Sequence, residues 1–442
     1  MYNKPNSRIW SVNLIPRDWK VVKLKEVIID TLPGEWGGEN PSEDSVLCWV
    51  IRGTDFSDVG YKLDDLPKRY IPRNRLERIK LQPGDILVEI SGGSRDQPTG
   101  RILLVDNSII KSSKYPMIYT NFVRKIKIME SCVHNRFFFY YWSWLYQRGR
   151  TAIHENRTVN IRNFQLNNFL LSEQIPLPPL PEQKKIAEIL RTVDGAIEKV
   201  DETIERTERL KKGLMQELLT KGIGHREFKD TEIGRIPKEW DVVKLGEIAR
   251  VVTGTTPSTK KMDYWIPPEV VWVTPADLSK VMFSVSDSER KVSKKAIKEC
   301  NLNILPEGSV IMSTRAPVGY IALVGASLVF NQGCKGLILN EQRVRGEFLV
   351  YYLRTMVKKL QSLSGGSTFK ELSKDSLEKV SLPLPPLHEQ KQITEILMTV
   401  DNKLELLREK KKILEQLKKG LMNDLLTGRR RVKVEPPKET LF

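Results

Sequence analysis

Cysteine and histidine are scarce in this chain of 442 residues, and neither type is clustered. The four cysteines (Cys48, Cys132, Cys300 and Cys334) have no CxxC spacing, and the four histidines lie apart from them. Zinc sites and disulfide frameworks both rely on such spacings, so the pattern argues against both. Unpaired cysteines also fit a reducing compartment. We therefore expect no metal, no bound cofactor and a cytoplasmic location.

Long apolar stretches are missing as well. No run of about 18 apolar residues occurs, which is the length that a membrane-spanning helix needs. The first ten residues are polar and contain no apolar core of the kind found in signal peptides. The sequence therefore predicts no membrane span and no secretory leader.

Three catalytic signatures are absent. The chain has no GxxxxGK[ST] loop for a nucleoside triphosphate and no (N/D)PP(Y/F) motif of an amino-methyltransferase. A metal-dependent nuclease would need an acid followed by an E-x-K pair on a strand. Asp85 and Glu89 have that spacing, but Ser91 stands where the lysine is required. We therefore expect the chain to be a binding protein and not an enzyme.

Positive charge, in contrast, is abundant. Lys and Arg number 72 against 55 acidic residues, which gives a formal net charge of +17 and a pI near 9.5. A protein this basic usually meets a polyanion such as a nucleic acid. The alternative is a protein of a thermophile or a generally lysine-rich surface.

The chain repeats itself. The phrase PLPPLPEQKKIAEIL (residues 176–190) returns as PLPPLHEQKQITEIL (383–397), 207 residues later. With the same offset, LKKGLMQELLT (210–220) returns as LKKGLMNDLLT (417–427). The two constant blocks are therefore preserved over their whole length without an insertion.

A second pair of phrases opens the intervening, variable blocks. IPRDWKVVKLKEV (15–27) returns as IPKEWDVVKLGEI (236–248), with an offset of 221 residues. The order along the chain is thus variable, constant, variable, constant. Because another variable block would follow the last constant block by analogy, we expect the chain termini to lie near each other and close a ring.

The constant blocks predict two long helices. Apolar residues recur at alternating spacings of four and three, which is the pattern of a coiled-coil seam. About 38 residues in each copy make a rod of roughly 55–60 Å, and antiparallel pairing lets each helix return to the next block. The predicted seam and subunit scaffold comprise Ile186, Leu190, Val193, Ile197, Ile393, Leu397, Val400 and Leu404. On the continuation of this stripe we place Leu210, Leu214 and Leu218 in the first copy and Leu414, Leu417, Leu421 and Leu425 in the second.

The variable blocks predict mixed α/β structure with more strand than helix. Short β-branched runs such as FVRKIKI (122–128) and GYIALVG (319–325) are bounded by Gly, Pro and Asp, as strands usually are. Each block ends in an aromatic, helix-like stretch, at residues 136–150 and 347–363.

These repeats resemble the specificity (S) subunit of a type I restriction-modification system. The resemblance rests on the two PLPPLxEQ phrases, on LKKGLM twice and on EIGRIPKEWDVVKLGEI, and it covers essentially the whole chain. One departure is the opening SRIWSVNLIPRDW, where the second copy has the fuller lead DTEIGRIPKEW. In that family two target recognition domains are held apart by two conserved helices, and each domain reads one half of a split DNA sequence.

The resemblance implies a non-catalytic prokaryotic subunit that binds double-stranded DNA and scaffolds methylation (M) subunits, usually two, and restriction (R) subunits. The implied fold class is α+β, with two mixed α/β target recognition domains separated by two long antiparallel coiled-coil helices in a pseudo-two-fold tandem repeat. The implied boundaries are 1–175 for the first target recognition domain, 176–221 for the first spacer helix, 222–381 for the second domain after a linker at 222–235, 382–427 for the second spacer helix, and 428–442 for a basic tail.

Two arginine loops are the leading candidates for reading base edges. SGGSRDQPTGR (91–101) and STRAPVG (313–319) present Arg95 and Arg315 among small residues, from which a guanidinium can reach guanine O6 and N7. The alternative for both is a solvated hairpin arginine, which is equally favoured. The other candidate DNA-binding residues are Arg101, Arg157, Lys260, Lys261, Tyr264 and Lys370. For the loops that carry the last five, the alternative of simple surface turns is favoured.

The C-terminal basic stretch and the function of the chain each allow an alternative interpretation. The basic stretch GRRRVK (428–433) is interpreted as a solvated tail that adds at most non-specific attraction to phosphates. Two alternative functions remain open, namely a self-sufficient DNA methyltransferase or nuclease with unrecognised motifs, and a DNA-binding repressor without catalytic partners.

Overall fold

The computed structural model describes residues 15–56, 66–92, 97–157, 162–315, 317–364 and 371–434. The chain forms two compact units. The first combines Met1–Glu202 with Glu409–Phe442, and the second is Thr203–Arg408. None of the helices in the described ranges is long and apolar enough to cross a membrane.

The first unit contains strands and helices in alternation. Its strands are β1 (Lys20–Lys23), β2 (Ile28–Pro33), β3 (Ser45–Ile51), β4 (Lys68–Pro72), β5 (Ile86–Glu89), β6 (Ser91–Gly92), β7 (Ile102–Leu104), β8 (Met117–Tyr119), β9 (Val123–Ile128), β10 (Glu155–Arg157), β11 (Arg162–Phe164) and β12 (Gln174–Leu177). Its short helices are α1 (Arg73–Ile79), α2 (Asn107–Ser112), α3 (Asn135–Gln147) and α4 (Leu166–Ser172). The long helix α5 (Leu180–Lys221) follows, and its residues up to Glu202 belong to this unit.

Strand β5 lies at the centre of the first unit. It pairs antiparallel with β7 and β9 in a sheet of order β2-β9-β5-β7, and all four of its residues are buried. Ile86 and Val88 belong to the cluster that contains helix α3, whereas Leu87 belongs to a second cluster with β3 and β8. Successive side chains of a strand point to opposite faces. A continuous apolar run therefore forms a stable strand here because both faces are covered.

The second unit has the same arrangement. Its strands are β13 (Phe228–Thr231), β14 (Gly234–Pro237), β15 (Asp241–Lys244), β16 (Ala249–Thr253), β17 (Val270–Val273), β18 (Ser284–Val285), β19 (Lys291–Val292), β20 (Val310–Ser313), β21 (Ile321–Val324), β22 (Val329–Phe330), β23 (Cys334–Leu339) and β24 (Ser381–Leu384). Its helices are α6 (Leu245–Ile248), α7 (Pro275–Leu278), α8 (Lys294–Glu299), α9 (Gly346–Thr355), α10 (Val357–Ser362) and α11 (Lys374–Glu378), and the long helix α12 (Leu387–Leu425) follows.

Strand β20 of the second unit is equivalent to β5 of the first. It lies between β23 and β21 in a sheet of order β16-β23-β20-β21-β18. Val310 and Met312 join the cluster that contains helix α9, and Ile311 joins the cluster of β17 and β22. The same strand thus separates the same two cores in both copies. The prediction of an α+β chain with two mixed α/β domains in tandem is confirmed.

Ion pairs show how the long helices run. The pairs are Asp194–Lys418 and Asp201–Lys411 in the first unit, at 2.7 Å each, and Lys211–Asp401 and Glu208–Arg408 in the second, at 2.5 and 2.7 Å. Residue numbers rise along α5 as they fall along α12. The helices are therefore antiparallel within each unit, as the sequence predicted.

The predicted seam residues are buried, but they do more than join two helices. Ile186 and Leu190 lie in the same cluster as the aromatic helix α3, and Ile393 and Leu397 lie in the cluster of α9. Each long helix therefore begins inside the core of its own domain. Of the remaining predicted residues, Ile197 and Leu404 are buried, whereas Val193 and Val400 are half-buried.

The predicted continuation of the stripe is wrong for Leu210 and Leu417, whereas Leu218 and Leu425 are buried as expected. Leu210 and Leu417 are 55% and 49% exposed. Leu210 follows the half-buried Ile204 by six residues, and at 100° per residue this step places it well off the stripe. The spacing of three and four from Ile204 leads instead to Thr207, which is buried, and to Lys211, which pairs with α12.

The glutamine of each repeated phrase joins a long helix to its domain. Gln183 donates from Nε2 to the carbonyls of Pro178 (2.8 Å) and Cys132 (2.9 Å), and its Oε1 accepts from the amide of His134 (2.9 Å). Gln390 makes the equivalent three bonds at 2.8–2.9 Å in the second unit. The phrase is repeated because each domain needs this connection.

A buried glutamate at the start of α5 binds the chain's C-terminal part. Glu182 accepts a hydrogen bond from the indole of Trp19 (3.3 Å) and two from the guanidinium of Arg431 (2.8 Å each). Arg431 also pairs with Asp18 at 2.8 Å. The interpretation of residues 428–433 as a solvated tail is therefore wrong for Arg431. Residues 18 and 431 are therefore in contact, as expected if the two ends of the chain lie near each other.

Candidate nucleic-acid interface

A hairpin loop follows the central strand of each domain. We call residues 90–100 the first hairpin loop and residues 314–319 the second. Gly100 donates its amide to Glu89 O, and Gly319 donates its amide to Ser313 O, at 3.1 Å each. Both glycines have positive φ, 88° and 115°, which other residues rarely adopt. The two loops are therefore held by the same bond at the same place in the fold.

Arg315 lies on the second hairpin loop. Its side chain is 37% exposed, and Nη1 lies 3.9 Å from Oε2 of Glu371. Glu371 is also bound by Lys335, whose Nζ lies 3.3 Å from Oε1. Among the described residues this distant carboxylate is the one ion-pair partner of Arg315. The guanidinium is therefore partly exposed and only loosely paired within the described residues.

The Lys260–Tyr264 loop divides into two kinds of residue. Lys260 is exposed, and Lys261 donates from Nζ to the hydroxyl of Tyr264 at 3.1 Å, a bond that raises the pKa of the lysine. Tyr264 itself is buried and donates to Glu299 at 3.0 Å. The two lysines are thus exposed, whereas Tyr264 packs in the domain and supports Lys261.

The candidates of the first domain are less favourably placed. Arg101 is nearly buried and donates to both oxygens of Glu89 (2.9 and 2.7 Å) and to the carbonyls of Gly53 (2.7 Å) and Phe56 (3.1 Å). This buried pair anchors the first hairpin loop, so Arg101 supports the loop instead of reading bases. Arg95 and Lys370 lie outside the described residues, as does the side chain of Arg157, whose backbone ends β10.

Strand register reveals two basic residues that the sequence did not indicate. Arg124 on β9 pairs with Val88, and Lys335 on β23 pairs with Met312, so the two cations occupy equivalent positions. Sequence offsets could not align them because the variable blocks differ in length. The only available signal was their place on a strand beside the central one.

Positive charge is concentrated in the two domains. Lys and Arg exceed Asp and Glu by seven in residues 1–179 and by six in residues 222–386. Charges balance in α5 and leave one excess cation in α12. The attraction for a polyanion therefore comes from the domains and not from the helices. The described residues contain no group of three or more His, Cys, Asp or Glu side chains that could hold a metal ion.

Comparison with known proteins agrees with this two-domain arrangement. Residues 50–208 and 237–416 match the family model described as the type I restriction modification DNA specificity domain. A chain of Methanocaldococcus jannaschii, provisionally named the MjaX type I restriction enzyme specificity subunit, is 30% identical and is aligned over 98% of both chains.

Two solved structures share the fold. The S subunit of a type I restriction-modification system from M. genitalium has a TM-score of 0.57 at 15% identity, covering 96% of this chain and 98% of that one. A chain from a study of complex assembly in a type I restriction-modification system has a TM-score of 0.53 at 20% identity, covering 94% and 99%. The chain belongs to the family of type I restriction-modification specificity subunits, which recognise DNA and are not themselves catalytic.

Proposed function

We propose that the chain recognises a bipartite DNA target, with residues 1–175 reading one half-site and residues 222–381 reading the other. This proposal rests on one observation: the same hydrogen-bonded hairpin occurs in both domains. Strands β5 and β20 are each followed by a hairpin loop closed by the same glycine bond. Two copies of one recognition fold with different loop sequences suit a target with two different halves.

We further propose that Arg95 and Arg315 read bases, and that Lys260, Lys261 and Lys370 contact phosphates. The exposed guanidinium of Arg315 supports base reading, since an arginine can bind the guanine O6/N7 edge with two hydrogen bonds. Arg157 stays a candidate of the first domain. Phosphate contacts position the protein but carry no sequence information.

The long helices are proposed to bind two M subunits, and R subunits then join for cleavage. Leu210 and Leu417 lie in the identical phrase LKKGLM, one in each unit, and both are about half exposed. An apolar residue exposed at the same place twice suits two copies of one partner. Because the DNA of a prokaryote is cytoplasmic, we place the assembly in the cytoplasm.

Exchange of one domain tests this function. The first variable block is replaced by that of a related chain, and methylation is mapped across the genome of a host that also carries the M subunit. Only one half of the methylated sequence should change. A simultaneous change in both halves would contradict the proposal.

The alternative functions are tested with the purified chain alone. Incubation with DNA, Mg²⁺ and S-adenosylmethionine should give neither methylation nor cleavage, whereas either activity would favour a self-sufficient enzyme. A host in which the chain binds its target but no M subunit associates with it would favour the repressor.

A further inference from the structure

Glu371 and Asn163 occupy the same position in the two domains. Leu372, which follows Glu371, donates its amide to the carbonyl of the first residue after β20 at 3.0 Å. Phe164, which follows Asn163, donates its amide to the carbonyl of the first residue after β5 at 2.8 Å. The two bonds place Glu371 and Asn163 at equivalent points beside their hairpin loops, although the sequence offset does not reveal it.

Glu371 is a carboxylate that is compensated by two cations. Lys335 lies 3.3 Å from Oε1, and Arg315 lies 3.9 Å from Oε2. Lys335 is buried, so it holds the carboxylate in place, while the Glu371 side chain is still 39% exposed. An acidic group near DNA is normally repelled by the phosphates. The two cations offset this repulsion and leave lone pairs of the carboxylate for a ligand.

Asn163 offers different chemistry at the same place. Its Oδ1 accepts a hydrogen bond from the hydroxyl of Ser91 at 2.8 Å, and the residue is exposed. An amide presents both N–H donors and a carbonyl acceptor, whereas an ionised carboxylate only accepts. The two domains therefore present an acceptor and a donor–acceptor pair at equivalent positions.

We propose that Glu371 and Asn163 are specificity-determining residues that read different bases in the major groove. Glu371 accepts a hydrogen bond from an exocyclic amino group, N4 of cytosine or N6 of adenine, in the half-site of the second domain. Guanine and thymine present acceptors in that groove and are rejected there. Asn163 pairs with N6 and N7 of adenine in the half-site of the first domain. This inference rests on the proposed function and assigns base chemistry to it.

The test uses the chain in complex with its M subunits and a DNA target identified by methylation mapping. Dissociation constants are measured for duplexes in which each specified base pair is replaced in turn. Glu371→Ala should lose roughly 5- to 150-fold of discrimination at one position of the second half-site, where the parent selects cytosine or adenine. Because the variant also removes a negative charge, its affinity for unrelated DNA should rise. Asn163→Ala should lose a similar factor at one adenine of the first half-site.

Two matched variants separate base reading from folding. Glu371→Gln retains an acceptor for Lys335 and should keep the melting temperature of the parent while losing part of the discrimination. Glu307→Ala removes an exposed glutamate before the opposite end of β20 and should leave the base preference unchanged, with at most a slight uniform rise in affinity.

The outcomes are distinguishable. Selection of guanine or thymine at the affected position, or a Glu371→Ala profile identical to that of the parent, would overturn the inference. If domain exchange still transfers one half-site in that case, the proposed function stands without it. If domain exchange changes both halves together, the proposed function itself fails.

Discussion

Tyr140 donates its phenolic hydroxyl to Oδ2 of Asp194 at 2.6 Å, which connects the aromatic helix α3 to the long helix α5. Asp194 in turn pairs with Lys418 of α12 through its other oxygen, at 2.7 Å. Burial and the adjacent carboxylate raise the pKa of Tyr140, so the hydroxyl stays a donor. One aspartate therefore fastens the first domain to α5, and α5 to α12.

The second unit repeats this connection with the partners exchanged. Tyr351 donates to Asp401 at 2.7 Å, and Lys211 of α5 pairs with the other oxygen of Asp401 at 2.5 Å. Both the aspartates and the lysines are related by the offset of 207 residues. Each repeat thus supplies the aspartate for its own domain and the lysine for the other helix.

Tyr140→Phe should destabilise the first unit. A buried hydrogen bond to a charged group contributes about 1.5–3 kcal/mol, and the variant leaves the packing of the ring intact. We expect a lower midpoint in thermal unfolding. Tyr320→Phe, at a side chain that is 36% exposed, should leave the midpoint nearly unchanged. Equal midpoints for both variants would show that the Tyr140 bond adds nothing to stability.

Two neighbouring leucines of α12 provide a test of the helix seam. Leu404 is 2% exposed and Leu406 is 66% exposed. A charge at a buried site costs several kcal/mol, so Leu404→Asp should lower the yield of folded protein or its melting temperature. Leu406→Asp places the same charge in water and should be tolerated. Similar melting of both variants would contradict the packed seam.

The helices were the most predictable part of the fold because their period is local. A spacing of three and four identifies Ile186, Leu190 and Leu404 as buried from the sequence alone. The same spacing of three and four, counted from Ile204, does not include Leu210. The prediction for Leu210 was wrong because it followed the leucines and not the helical period. That the first turns enter the domain core was not predictable, since it depends on aromatic residues such as Phe138, far away in sequence.

The candidate interface was less predictable because its parts come from distant segments. Arg315 stands out in a short loop, but Lys335 reaches it only when β20 and β23 pair, and Glu371 only when Leu372 bonds to the residue after β20. Arg101 looked like a free loop arginine, and the carboxylate that binds it, Glu89, is at the other side of the hairpin. A sequence motif gives the type of a residue but not the partner to which its side chain is bonded in the fold.

The contacts of Arg431 with Glu182 and Asp18, which we call the clasp, predict that the chain must include residue 431 for full stability. A chain that ends at residue 428 loses Arg431 and leaves the buried Glu182 without its cation, which should cost about 1–3 kcal/mol. A chain that ends at residue 434 keeps the clasp and should melt like the parent. Thermal unfolding of the two truncated chains distinguishes them. The clasp is dispensable if both melt at the same temperature.

Arg315→Ala should change specificity and not merely affinity. A bidentate arginine–guanine contact provides about 1–3 kcal/mol of discrimination, so binding should weaken mainly at one base position of the second half-site. A phosphate-contacting residue behaves differently, since its loss weakens binding to all sequences and lowers the salt slope by about one. The measurement is a binding series over single-base variants at two salt concentrations.

A matched control removes a positive charge elsewhere in the same domain. Lys298 is exposed on α8, and Lys298→Ala should weaken binding slightly at low salt without altering base preference. If Arg315→Ala weakens binding to all sequences well beyond Lys298→Ala and lowers the salt slope by about one, Arg315 contacts phosphate. A loss no larger than that of Lys298→Ala would show that Arg315 contacts neither base nor phosphate. Other residues of the second domain would then read its bases. The same binding series with Arg95→Ala tests base reading by the first domain.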